Sequence, residues 1–112
     1  MKKCLVLYRS AVSSRAQMAN ATPEQAKAGM DAWMQWATKN AASVLDLGAP
    51  LGSGTHLKGN GTASADDTIS GFSIVQGESL DSVKKMFSDH PHKHMPGEAS
   101  IEIFEVLAIP GM

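Results

Sequence analysis

A chain of 112 residues, 43% apolar and 19% charged, holds enough for one domain with a modest core and too little for two. Its formal charge is −1, from 10 basic and 11 acidic residues, with arginine only at Arg9 and Arg15; this argues against a nucleic-acid backbone or a basic protein as partner. The single cysteine, Cys4, excludes an internal disulfide framework, and no apolar run is long enough to cross a bilayer.

The opening MKKCLVLYRS starts basic, but its apolar run, residues 4–8, is too short for a signal-peptide core, so a cytoplasmic chain is expected. Residues 3–9 read as a first strand, with Cys4 a buried, inert thiol within it. Residues 10–21 are polar and aperiodic and read as a surface loop. Thr22, Pro23 and Gln25 then form a capping box with the favoured proline, opening a helix over 22–45. At about 100° per residue, Ala26, Met30, Trp33, Ala37, Ala41 and Val44 share its apolar face, and Trp36 falls on the flank. Gly48 is expected to close the helix region, and Pro50 bars further helix. A short strand near 46–51 follows, then a hairpin turning at Asn60-Gly61 with arms near 55–58 and 62–65.

Residues 69–77, ISGFSIVQG, read as a strand ending at Gly77. Ser79 caps a second helix that spaces Leu80, Val83 and Phe87 on one face, and Pro91 stops it. Residues 100–109, SIEIFEVLAI, read as a last strand rich in β-branched side chains. The order β-α-β-(hairpin)-β-α-β is the split βαβ, ferredoxin-like pattern. It predicts an α+β domain over 1–112, an antiparallel sheet with two helices on one face.

The strands look apolar on both sides. Leu5 and Leu7 oppose Cys4, Val6 and Tyr8; Phe72 and Ile74 oppose Val75; Ile101 and Ile103 oppose Phe104 and Val106. Two helices cover one side only. A homodimer packed sheet face to sheet face would cover the other, unless the 10–21 loop and the 52–65 hairpin do so.

CLVLYR, AWMQW, GAPLGSG, GFSIVQGESLDSV, HPH and SIEIFEVLAIPGM, in this order over nearly the whole chain, resemble the YCII-related (DGPF) family of small bacterial proteins. The resemblance implies a ferredoxin-like fold and a homodimer of the dimeric α/β barrel type. Some relatives act on small organic acids, as dehydrohalogenases do; others are linked with sigma-factor regulation. The YCII branch implies a histidine in the first helix paired with an aspartate. Here Trp33 stands at about that place, and Asp46 is the candidate acidic partner.

Three of the four histidines sit at alternate positions, His90, His92 and His94. His90 is expected to close the apolar face of the second helix, where a histidine also suits the helix dipole. His92 and His94 are expected in an extended segment beyond Pro91, projecting the same way, with Asp89 and Glu98 as neighbouring carboxylates. They are the candidate acid–base pair, because imidazole titrates near neutral pH. The alternative is a solvated loop. A metal centre needs three or four converging ligands, and no H-x-x-x-H or second ligand cluster occurs, so no metal and no cofactor is expected. Trp36, Trp33 and Tyr8 are candidates to wall a cleft, against simple packing, and Arg9 is a candidate partner for a carboxylate. The two lysines of DSVKKMF lie on the solvent side of their helix and suggest no basic patch.

Two functions follow. One is a homodimer binding a small organic acid in a cleft between the first helix and the sheet, with lyase or dehydrohalogenase-like proton transfer by His92, His94 and Asp89. The other is a non-catalytic interaction or regulatory dimer. Neither calls for a nucleic acid or a membrane.

Overall fold

A computed structural model describes residues 1–64, 68–95 and 98–111, with the side chain of His94 outside that description. Strand β1 is Lys2–Arg9, and its alternation is the one expected: Cys4, Val6 and Tyr8 are buried, Leu5 and Leu7 half-buried. The 10–21 stretch departs from the reading as a loop. It forms helix α1, Ser14–Asn20, whose Ser13 side chain accepts the Ala16 N–H as N-cap. Arg15, Ala16, Gln17 and Met18 favour helix, but seven residues are too few to display an apolar period.

Helix α2 is Pro23–Lys39, opened by the expected capping box: Gln25 N–H donates to Thr22 Oγ1 (3.1 Å) and Thr22 N–H to Gln25 Oε1 (3.0 Å). It stops at Asn40, short of 45. The Asn40 backbone N–H and Nδ2 both donate to the Trp36 carbonyl, capping the last turn. Residues 41–43 turn, and Ser43 accepts the Gln76 N–H, so the chain is already joining the sheet before Val44. The expected face is also rotated. Trp36 is buried, not on a flank, and Met30 is 61% exposed. Only the C-terminal half of α2 lies on the core, so the bulky Trp36 sets its phase while Ala26 and Met30 stand clear.

Strand β2 is Val44–Pro50. Gly48 therefore lies within a strand and ends no helix. Its φ is +78°, within the register shift between Asp46 and Ala49 in the pairing with Ile69–Gly77 (β5), and its N–H donates to Asp46 Oδ1 at 2.8 Å. Thr55–Lys58 (β3) and Gly61–Ser64 (β4) pair as an exposed two-stranded ribbon; residue 65, expected in its second arm, lies outside the described residues.

Helix α3, Leu80–Met86, carries a second capping box, in which Ser79 Oγ accepts the Ser82 N–H and Ser82 Oγ accepts the Ser79 N–H. Ser79→Ala is expected to cost about 1 kcal/mol of stability, read as a lower urea midpoint at unchanged slope. The segment after Pro91 is not extended. Pro91–His94 is one turn of 3-10 helix, with Pro91 at its favoured first position and His90 as the cap. The strand alternation expected to aim His92 and His94 together is thus absent, and the side chain of His94 lies outside the described residues.

The last strand, β6, is Ser100–Glu105, shorter than the expected 100–109. Val106 N–H still reaches the Lys3 carbonyl (2.8 Å), but β1 begins at Lys2, so the ladder runs out of partner there.

The four long strands form one antiparallel sheet in the order β2-β5-β1-β6, an α+β arrangement compatible with the ferredoxin-like class. Trp33, Trp36 and Ala37 of α2 and Val83 and Met86 of α3 join Cys4, Val6, Tyr8 and Val75 in the core, so both helices lie on one face. The opposite face presents Phe104, Leu5 and Ile74 as cross-strand neighbours, with Phe72 beside Leu7. These are half-buried or, for Phe104, 48% exposed, and none joins the core cluster. The molecule is 19 Å through its thinnest dimension, about one sheet and one helix layer. Among the described residues no helix is long and apolar enough to cross a membrane.

Candidate functional site

The expected cleft beside Tyr8 and Trp36 is filled, and His90 fills it. Tyr8 projects from β1 into the helix layer, where its edge meets Trp33 (centroids 4.9 Å). His90 stacks on Tyr8 (5.1 Å, 24° between planes) and meets Trp33 and Trp36 edge-on, each at 4.5 Å. Phe87 closes the cage at 5.3 Å. Helical spacing places His90 on the face of the second helix. That helix ends earlier, and the turn after it carries His90 inward until none of its surface is exposed.

Hydrogen bonding fixes its state. His90 Nδ1 accepts the His92 N–H (3.0 Å), so the ring proton sits on Nε2, which has no hydrogen-bond partner among the described residues. Burial, aided by nearby His92, pushes its pKa down to about 4, against a small upward pull from Asp89. At neutral pH His90 is a neutral ring in a cage of aromatic rings, sealed from any substrate.

His92 is also buried. Its Nε2 lies 2.8 Å from the Arg9 carbonyl, and because a carbonyl only accepts, that nitrogen is the donor. The bond ties the 3-10 turn to the end of β1. Its ring stands edge-on to Tyr8 at 5.3 Å. The Tyr8 hydroxyl donates to Ser73 Oγ (2.8 Å), which donates on to the Leu47 carbonyl (2.6 Å), and burial raises the phenol to about 12. Trp36 Nε1–H is satisfied by the Met86 carbonyl (3.0 Å).

The remaining candidates lie apart. Asp89 is exposed and paired with Lys39 (2.7 Å), a bond that holds its carboxyl below the usual range. Arg9 sends its guanidinium to Glu102 and to Thr68 Oγ1 (2.8 Å). Asp46 supports the Gly48 backbone. The side chain of His94 is outside the described residues. The structure thus gathers Tyr8, Trp33, Trp36, His90 and His92 into a packed cluster in which His90 Nε2 is the only buried side-chain polar atom that lacks a partner among the described residues, and keeps Arg9, Asp46 and Asp89 in separate local roles. Among the described residues no three His, Cys, Asp or Glu side chains converge to hold a metal ion.

Two open grooves border the helix layer, and neither is lined by Tyr8, Trp33, Trp36 or Arg9. The larger, about 600 Å³, runs between α3 and β6, with Phe87, Ile101 and Ile103 against Lys84, Lys85 and Lys93. The sequence alone suggests no basic patch here. Two lysines on one helix become three around a groove only once the 3-10 turn returns Lys93 to α3, a contact that no spacing announces.

Compared with protein-family models and with curated proteins, the chain matches none.

Proposed function

We propose that this chain is a homodimeric, non-catalytic interaction protein of the YCII-related (DGPF) type, closed through its open sheet face in the manner of a dimeric α/β barrel. The observation that carries this reading is the apolar patch of Leu5, Leu7, Phe72, Ile74 and Phe104, contiguous across three strands and left without a helix. A soluble chain gains by removing such a patch from water, and a self-complementary face achieves this with one kind of subunit. The Arg9–Glu102 ion pair belongs to the same side of the sheet and would form part of a polar rim.

The acid–base reading is less well supported. His90 and His92 are engaged in holding the fold, and a lyase would have to work through His94 without them. A regulatory role, such as the sigma-factor link that the resemblance implies, needs only the dimer and its outer surfaces.

Ile74→Lys places a charge in the patch, directly beside its central Leu5. It is expected to weaken self-association by roughly a hundredfold, as at a buried interface centre, with the circular-dichroism spectrum unchanged. Leu57→Lys, on the exposed hairpin, is the control and should leave association alone. If Ile74→Lys stays as tightly associated as the parent, the face is not the interface.

A further inference from the structure

The sheet ends on β6, which among the described residues pairs only with β1. The phase of that pairing is fixed by the Val106 N–H donating to the Lys3 carbonyl. By the alternation of an antiparallel ladder, the N–H and C=O groups of Phe104 and Glu102 also turn toward β1. Those of Ile101, Ile103 and Glu105 turn outward, along the free edge. Such an edge is a template for another strand unless something blocks it. No proline stands in β6, and its outward groups carry two isoleucines.

Above the edge the helix layer stops short. Helix α3 packs over β5 and β1, while β6 meets the 3-10 turn, and between them lies the 600 Å³ groove floored by Phe87 and the half-buried Ile101 and Ile103. Its rim is basic. Lys84 and Lys85 come from the last turn of α3 and Lys93 from the 3-10 turn, where its Nζ leans on the Ser88 carbonyl (3.3 Å). Asp81 is the acid in this lining, so the groove is positive on a chain whose net charge is −1. Glu105, further along the strand, is paired with Lys2.

We propose that the free edge of β6 and the lysine-rimmed groove beside it bind an extended acidic peptide segment by strand addition. The peptide backbone would take up the outward groups of Ile101, Ile103 and Glu105. Its groove-side residues would set apolar side chains on Ile101, Ile103 and Phe87 and carboxylates against the lysines. The six residues of β6 offer about 20 Å of edge, room for six or seven peptide residues. Charge selects the occupant: a basic or neutral strand finds the same edge but loses the rim. The site lies at the sheet edge, on the helix side, and does not depend on the dimer proposed above.

Fluorescence anisotropy with a labelled heptapeptide of sequence ETVTVTE tests this on the full chain. Its alternate Glu and Val residues can all face the groove. Saturable binding is expected. The KTVTVTK peptide should bind at least tenfold more weakly, as should ETVTVTE to a Lys84→Glu, Lys85→Glu, Lys93→Glu variant, whose sites are all exposed. N-methylation of one alternate set of peptide amides should abolish binding, while methylation of the other set should not. No saturable binding, equal binding of the two peptides, or indifference to both methylation sets would each overturn the proposal. So would release of single chains from a two-chain species by saturating peptide, because the edge would then belong to the contact between copies. A single-chain mass without peptide would defeat the dimer and leave the anisotropy result standing.

Discussion

Acidification from pH 6.5 toward pH 4 is expected to weaken the fold by roughly 3 kcal/mol through His90 alone. In the unfolded chain this imidazole takes its proton near pH 6.5; in the folded chain burial, with nearby His92, holds it neutral down to about pH 4. Above the unfolded value neither state binds the proton, and His90 adds no pH dependence. Below it the unfolded state binds a proton that the folded state refuses, so stability falls through this window and levels off below it. The groups facing His90 do not reverse the sign. The Tyr8 phenol stays neutral throughout, and Asp89, held low by Lys39, adds its own loss only on the acid side of the ordinary carboxylate range. Urea titrations at intervals from pH 7 to pH 4 read the effect. His90→Asn keeps an acceptor for the His92 N–H, starts less stable, and should show a flatter profile over this window. An equal acid slope in the variant would remove His90 as its source.

Gly48→Ala is the most damaging small substitution expected in the chain. A Cβ at this position would lie 1.7 Å from the Phe72 carbonyl oxygen and 2.6 Å from its carbon, both backbone atoms that cannot rotate away. The φ of +78° adds the cost of a left-handed residue, about 1–2 kcal/mol for a residue other than glycine. With β2 forced off β5, the total should reach about 3 kcal/mol or more. The comparison within the same chain is Gly29→Ala. Gly29 lies inside α2, and an alanine Cβ there would meet nothing within 4 Å, so the substitution should gain about 0.5–1 kcal/mol. Urea midpoints that move in opposite directions would match this expectation; two midpoints within error of each other would refute it.

Local chemistry was legible in the sequence. Thr22 and Ser79 mark the starts of α2 and α3 because a cap is satisfied by residues three positions away. The bounds of β5, Ile69–Gly77, follow from an apolar run between turn residues. What tertiary contact decides was not legible. Asn40 ends α2 because Ser43 has already met β5, and Trp36 rather than Met30 faces the core because the helix touches the sheet over half its length. The histidine run failed for a related reason. Alternation predicts a shared direction only in a strand, and Pro91 instead begins a 3-10 turn that buries His90 and His92 on different partners. The sheet's two apolar faces, by contrast, could be read from alternation alone, and the side without helices is the patch on which the proposed dimer depends.

Light scattering on the purified chain at micromolar concentration tests that dimer most directly. A mass twice the chain's 11.8 kDa, falling to a single chain in Ile74→Lys with the fold intact, is the predicted result. A mass of one chain for the parent would contradict it, leaving Leu5, Leu7, Phe72, Ile74 and Phe104 facing water.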